Sequence, residues 1–287
     1  MRRRAEKLLP FTLVLPSMAF LAVLVLVPTF QVLYLSLVAE GGGDLTLENF
    51  RRMLADLSFS DALRNTLLLL IVIVPLQVAL ALAMALVINS RLRAHRWLQY
   101  VYMLPLAVSD LAAGIVWLAV FTERGYLNSA LQSVGIIDRP ALWLSFDNFA
   151  GLLTAVVIAE SWRTTAIVLV ILLAGLALIP RDLVETAELF GASRLRRNVL
   201  IVLPLLRPSL QSALLVRTIL ALPIFAVVLV LAGRNMPVLA GEAYTWYANN
   251  RNEHVAAAYA VVILGLSAVG IIAYLRAHGM REAVVER

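Results

Sequence analysis

Four ionisable side chains stand inside long apolar runs: Asp110, Glu160, Arg163 and Arg217. Carboxylates and guanidiniums in such surroundings can contact a polar solute, relay protons, or neutralise one another. A second constellation occupies a polar stretch from Ile179 to Pro208, IPRDLVETAELFGASRLRRNVLIVLPLLRP. Its acids, Asp182, Glu185 and Glu188, precede Gly191, and its bases other than Arg181 follow that glycine. Other chemistry is excluded by composition. With no cysteine there is no disulfide, thiolate metal site or thiol nucleophile. The only lysine is Lys7, so no lysine follows a glycine-rich turn and a phosphate-binding P-loop is absent. No histidine lies in an apolar run, which weakens a proton relay: His95 and His278 fall in polar segments and His254 at the edge of the last run.

These residues are positioned by a chain of 287 residues that is 62% hydrophobic and only 15% charged. Soluble domains hold about 45–50% apolar and 25% charged residues, so the solvent of this chain is lipid, as its mean hydropathy of +0.89 also indicates. Apolar runs near residues 11–37, 66–88, 97–121, 149–179, 205–231 and 255–275 reach the roughly 20 residues a helix needs to cross the hydrocarbon. LLLLIVIVPLQVALALAMALVI does not alternate in polarity, so these are helices and not barrel strands. The first run follows MRRRAEK and is about twice a signal-peptide core in length, so a retained anchor is expected, with Pro16 and Pro28 as sites of kinking.

The predicted class is therefore an all-α membrane protein of six transmembrane helices in a single domain, 1–287. Orientation follows from the basic residues. The face holding the two termini and the second and fourth loops carries about +9 and the opposite face about −3, so both termini are cytoplasmic. The overall +6 is topology and does not point to nucleic acid. Outside the bilayer, LTLENFRRMLADL places Leu47, Phe50, Met53, Leu54 and Leu57 at helical spacing, an amphipathic surface helix.

Each intramembrane charge costs roughly 2.5–3.5 kcal/mol near a helix centre if unpaired. Glu160 and Arg163 are three residues apart and can neutralise each other on one face, while Asp110 and Arg217 could pair across the bundle. The alternative is that some of the four, with Trp162, line a solute pathway. Trp117, Trp162, Tyr100 and Tyr102 could stack on a sugar ring, or pack as an interfacial belt.

In the cytoplasmic stretch, Pro180 ends the fourth span and Asp182, Glu185 and Glu188 suit the positive end of a helix dipole. Gly191 permits a sharp change of direction, and a second helix from Ser193 returns to the membrane at Pro204 and Pro208. Helix, glycine turn and helix would project a rigid knob.

That segment, ETAELFGASRLRRNVLIVLPLLRP, resembles the EAA motif of binding-protein-dependent ABC transporter permeases, EAAxxDGAsxxxxFxxIxLPxLxP. It matches at Glu185, Ala187, Gly191, Ala192, Ser193, Ile201, Leu203, Pro204, Leu206 and Pro208, and departs at Thr186, Phe190 and Asn198. LENFRRMLAD, AAGIVWLAVFTERGYLNSAL and ESWRTTAIVLVILLAGLALIP resemble the carbohydrate branch, the maltose and trehalose-type subunits. A glycine-rich GGGP-like turn common in that branch is replaced by AGRNMP at Ala232 to Pro237.

The resemblance implies a type I ABC importer permease fold in the inner membrane, with 180–208 as the coupling loop. Glu185, Ala187, Glu188, Gly191, Ala192 and Ser193 would then meet the ATPase. The implied partners are a second permease subunit, forming a heterodimer, two ATPase subunits and an extracytoplasmic solute-binding protein. No cofactor is expected on this chain, and ATP and Mg would be used by the partner ATPase, so the chain itself would not be an enzyme. A sugar is the implied solute. A polyamine or glycerol phosphate permease, an ion-coupled secondary transporter using Asp110 and Glu160, and a non-transporting scaffold are the alternatives.

Overall fold

A computed structural model describes residues 2–90 and 95–278, with side chains over 14–90 and 96–276. The basic residues counted above at positions 2–4, 7, 91, 93, 281 and 287 lie outside the described side chains. The described residues form helices α1 (Arg2–Leu37), α2 (Glu48–Ala55), α3 (Phe59–Asn89), α4 (His95–Met103), α5 (Asp110–Phe121), α6 (Tyr126–Ser133), α7 (Phe149–Ala177), α8 (Arg181–Leu189), α9 (Arg194–Arg197), α10 (Leu203–Ala221), α11 (Ala226–Leu231), α12 (Leu239–Tyr244) and α13 (Glu253–His278). Five helical stretches are long and apolar enough to span a membrane, or six if the bent pair at residues 96–133 is one span.

Two expected spans are not straight helices. Within 97–121, α4 gives way to a 3-10 turn over Leu104–Ala107, and the axis bends by 104° before the helix beginning at Asp110. Pro105 lacks the N–H that would continue α4, and Ser109 restarts the chain as a cap, its Oγ accepting from Ala112 N at 3.2 Å. Within 205–231, α10 ends at Ala221, Pro223 occupies the break, and α11 is a separate short helix. By contrast α1 continues as one helix through Pro16 and Pro28. The amphipathic helix at 45–57 is shorter than its pattern. Of the five apolar residues at helical spacing only Met53 is buried, while Leu57 is 94% exposed.

The contacts divide the chain into two compact units. The smaller comprises the described residues within Met1–Phe59 and Glu242–Leu264. Here Asn49, not an apolar residue, is the buried partner of Met53. Its Nδ2 donates to the carbonyls of Val38 (2.9 Å) and Ser36 (3.1 Å), satisfying acceptors left open at the end of α1. Asp56 Oδ2 accepts from Trp246 Nε1 (2.7 Å) and from the Tyr259 hydroxyl (3.0 Å), so one carboxylate ties three segments of this unit.

The larger unit, within Ser60–Gly241 and from Gly265 onward, is built around α7. Over its most apolar stretch α7 has 61% of its residues buried, against 28% for α3 and 17% for Arg194–Ala221. Yet α7 is less apolar than α3, with mean hydropathy 1.9 against 2.8. The buried helix is the more polar one because Glu160, Ser161, Thr164 and Thr165 all point inward. Apolar layers lie on either side of these polar residues. One packs Leu69 and Ile73 of α3 against Leu152 and Val156 of α7 and Val227 and Val228 of α11. The other packs Ala81 and Ala85 of α3 against Leu169 and Leu172 of α7 and Leu206 and Ala213 of α10. Close approach of α7 and α10 requires Gly175, since a Cβ there would lie 2.1 Å from Ser209 Oγ.

Candidate functional site

Two places carry unusual chemistry, both in the larger unit. The first is the stretch 180–208. Pro180, with φ −59° and ψ 130°, separates α7 from α8, and Asp182 sits in the first turn of α8. The far end of α8 closes in a Schellman arrangement. Gly191 N donates to Glu188 O at 3.0 Å and Ala192 N to Ala187 O at 2.9 Å. Gly191 has φ +78°, the left-handed region that disfavours a side chain. No heavy atom would lie within 4 Å of a Cβ there, so the requirement is one of backbone conformation alone.

Ser193 then caps the next helix, its Oγ accepting from Arg196 N at 3.4 Å. The backbone passes through a π-helical turn, Asn198–Val202, and continues as one helical stretch, Arg194–Ala221. This irregular turn directly precedes Pro204 and Pro208, neither of which can donate to the preceding turn. The two arms are tied together by Arg197 Nη1 and Glu188 Oε2 at 2.8 Å, so the segment is a braced knob. Ala187 and Ala192 are half-buried, and Glu185, Glu188 and Ser193 are exposed. Leu189 and Phe190, at the turn, are 89% and 87% exposed. Beneath the knob lies a cavity of about 380 Å³, walled by the ends of α3 and α7 and by Arg181, Glu185, Glu188, Arg194 and Arg197.

The second place is the polar centre of the bundle. Arg217 of α10 is 1% exposed. Its Nη2 donates to Glu160 Oε1 of α7 at 2.8 Å, and its Nε to Gln77 Oε1 of α3. Gln77 Nε2 in turn donates to Thr164 Oγ1 and to the Glu160 carbonyl, and Thr164 Oγ1 donates to that same carbonyl at 2.7 Å. Three helices thus share one hydrogen-bonded centre. Arg163 pairs instead with Asp110 at the start of α5.

The pairings expected from sequence are therefore exchanged. Glu160 and Arg163 share a helix but each finds its partner on another one, and Asp110 and Arg217 do not pair with each other. Residues three apart on a helix differ by about 60° in direction, enough for each to face a different neighbour. Gln77 and Thr164 were missed by sequence reading, although an amide within LLLLIVIVPLQVALALAMALVI was an available signal.

Of the aromatic residues, Trp117 lies edge-on to Trp162 with centroids 6.0 Å apart and stacks on Phe121 at 5.6 Å. Tyr102 packs against the α3–α7–α10 layer, whereas Tyr100 is exposed and lies 6.5 Å from Trp97. Among the described residues no three His, Cys, Asp or Glu side chains are grouped to hold a metal ion.

The Binding-protein-dependent transport system inner membrane component family model matches residues 77–278. The chain is 33% identical over 79% of its length to the Trehalose/maltose transport system permease protein MalF of Thermococcus litoralis, covering 78% of that protein. It is 31% identical over 96% of its length to the Trehalose transport system permease protein SugA of Mycobacterium tuberculosis, covering 91% of it. A chain of a bacterial alginate ABC transporter, solved in complex with an alginate pentasaccharide-bound periplasmic protein, superposes with a TM-score of 0.81 at 18% identity, covering 96% of this chain and 95% of the other. Long apolar helices around a polar centre, the family match over most of the chain and these relatives agree: the chain belongs to the inner-membrane permease components of binding-protein-dependent ABC transport systems.

Proposed function

We propose that this chain is one of two permease subunits of an ATP-driven sugar importer, receiving a trehalose- or maltose-like solute from an extracytoplasmic binding protein. The two relatives named for trehalose transport and the alginate transporter with its periplasmic protein support the solute class and that partner. ATP and Mg would be consumed by two ATPase subunits, since this chain has no P-loop.

The observation that carries the mechanism is continuity. The knob is braced by the Gly191 turn and the Glu188–Arg197 pair, and its second arm is the start of the helical stretch Arg194–Ala221 that carries Arg217. A push on the knob from an ATPase at Glu185 and the Gly191 turn would be delivered along that helix to the Arg217–Glu160–Gln77 centre. Rigid-body displacement of this kind is the basis of alternating access. In an ion-coupled carrier Asp110 and Glu160 would bind the ion, but both carboxylates are engaged by guanidiniums, which favours the ATP-driven reading.

The test is reconstitution of the chain with its neighbouring permease and ATPases in vesicles supplied with labelled trehalose or maltose. Uptake should require both ATP and the binding protein and should survive an ionophore. Uptake that collapses with the ion gradient, or that proceeds without ATP, contradicts the proposal.

A further inference from the structure

The cavity under the knob has the composition of a binding site for a phosphate-bearing amphiphile. Its wall includes three guanidiniums, Arg181, Arg194 and Arg197, and two carboxylates, Glu185 and Glu188. Arg197 is spoken for by Glu188 at 2.8 Å. Among the described residues Arg181 and Arg194 form no ion pair, and the lining retains one net positive charge. The rest of the wall is mixed: Asn89, Ser90 and Asn198 are polar, and an apolar part is supplied by Leu86 of α3, Leu176 near the end of α7 and Ile179 just beyond it. At about 380 Å³ the cavity falls within the range of small-ligand sites, about 300–1,000 Å³.

Its place in the fold selects the ligand. The cavity sits where α3 ends at Asn89 and α7 ends at Ala177, on the face that the basic residues assign to the cytoplasm. We infer that this cavity holds the headgroup of an anionic glycerophospholipid of the inner leaflet. A phosphodiester carries one negative charge, matching the one uncompensated positive charge of the lining, and guanidiniums match phosphate oxygens in a two-pronged geometry. The glycerol and first acyl carbons meet Leu86, Leu176 and Ile179. A free phosphate would use the guanidiniums and leave Leu86, Leu176 and Ile179 without an apolar partner. Basic pockets between helices on the cytoplasmic side are suited to such headgroups. Seated there, the lipid lies between the knob and the spans and fixes the height of the knob above the membrane. The site does not depend on which solute is carried.

Native mass spectrometry of the detergent-extracted full chain, titrated with phosphatidylglycerol or with phosphatidylethanolamine of the same acyl chains, tests this. The wild type should bind one phosphatidylglycerol in preference to phosphatidylethanolamine. The Arg181→Gln/Arg194→Gln chain should bind it about thirty-fold more weakly. Arg181→Lys/Arg194→Lys keeps the charge and should retain most of the preference, which separates loss of the site from loss of the fold. Equal binding of the two lipids by wild type, or undiminished phosphatidylglycerol binding by the Gln chain, overturns the assignment. So does displacement of phosphatidylglycerol by inorganic phosphate at comparable concentration, which would make the cavity a site for free anions.

Discussion

The two polar regions of the larger unit are held together by opposite means. At the bundle centre, Arg217, Glu160, Gln77 and Thr164 are buried, and their partners come from three different helices. In the knob the order is local. It rests on a backbone turn at Gly191, a serine cap and one ion pair whose glutamate side chain is 66% exposed. Buried charges are expensive to leave alone, so the centre resists change. An exposed ion pair contributes little and a single cap about 1 kcal/mol, so the knob can be sensitive to alteration in function while contributing modestly to stability. In the proposed importer, the part that would engage the ATPase and the part that keeps the bundle in register are thereby separated along one helix.

That contrast can be broken most sharply at Arg217. Arg217→Met strips Glu160 of its guanidinium and leaves Gln77 Oε1 without its donor, and should destabilise the chain by about 3–5 kcal/mol. Replacing both Arg217 and Glu160 by Met should recover most of that loss, because the penalty is the orphaned charge. Thermal unfolding in detergent reads both effects, and a single variant that unfolds like wild type would mean the centre is wet. A smaller effect is expected at Gln77. Gln77→Leu removes one acceptor from Arg217 and the donor to Thr164, for a loss of roughly 1–3 kcal/mol. The smallest change in stability belongs to the knob. Gly191→Val forces a branched residue toward φ +78° and should cost about 1–2 kcal/mol at most, or be relieved by local fraying of the turn.

The knob was the more legible region because its determinants are neighbours in the chain. Pro180, Gly191 and Ser193 each act within a few residues, and the structure assigns each a local role in ending, turning or capping a helix. The spans were legible as apolar runs, but their interruptions were hidden within them. Pro105 and Pro223 stand in stretches whose hydropathy is unbroken, and average hydropathy does not register a missing N–H.

The polar centre was legible as a set of residues and not as a set of pairs. Arg217 meets Glu160 across 57 positions and Gln77 across 140. Spacing rules speak only about residues on one helix, and here the apparent i,i+3 partners Glu160 and Arg163 turn to different neighbours. Asn49 illustrates the same limit in the smaller unit. The apolar pattern marked one face of α2, whereas the open carbonyls at the end of α1 drew the Asn49 amide into burial. Long-range demand for hydrogen bonds overrode local periodicity in both cases.

The central claim is that the knob transmits the work of an ATPase to the bundle. Its most direct test is the number of ATP molecules hydrolysed per sugar taken up by vesicles containing the assembled importer, with Gly191→Val in place of the wild-type chain. The predicted result is hydrolysis that continues while uptake falls at least about ten-fold, a change of 1.4 kcal/mol or more in coupling, with the chain still inserted and its unfolding temperature close to wild type. Uptake and stoichiometry equal to the wild type would contradict it.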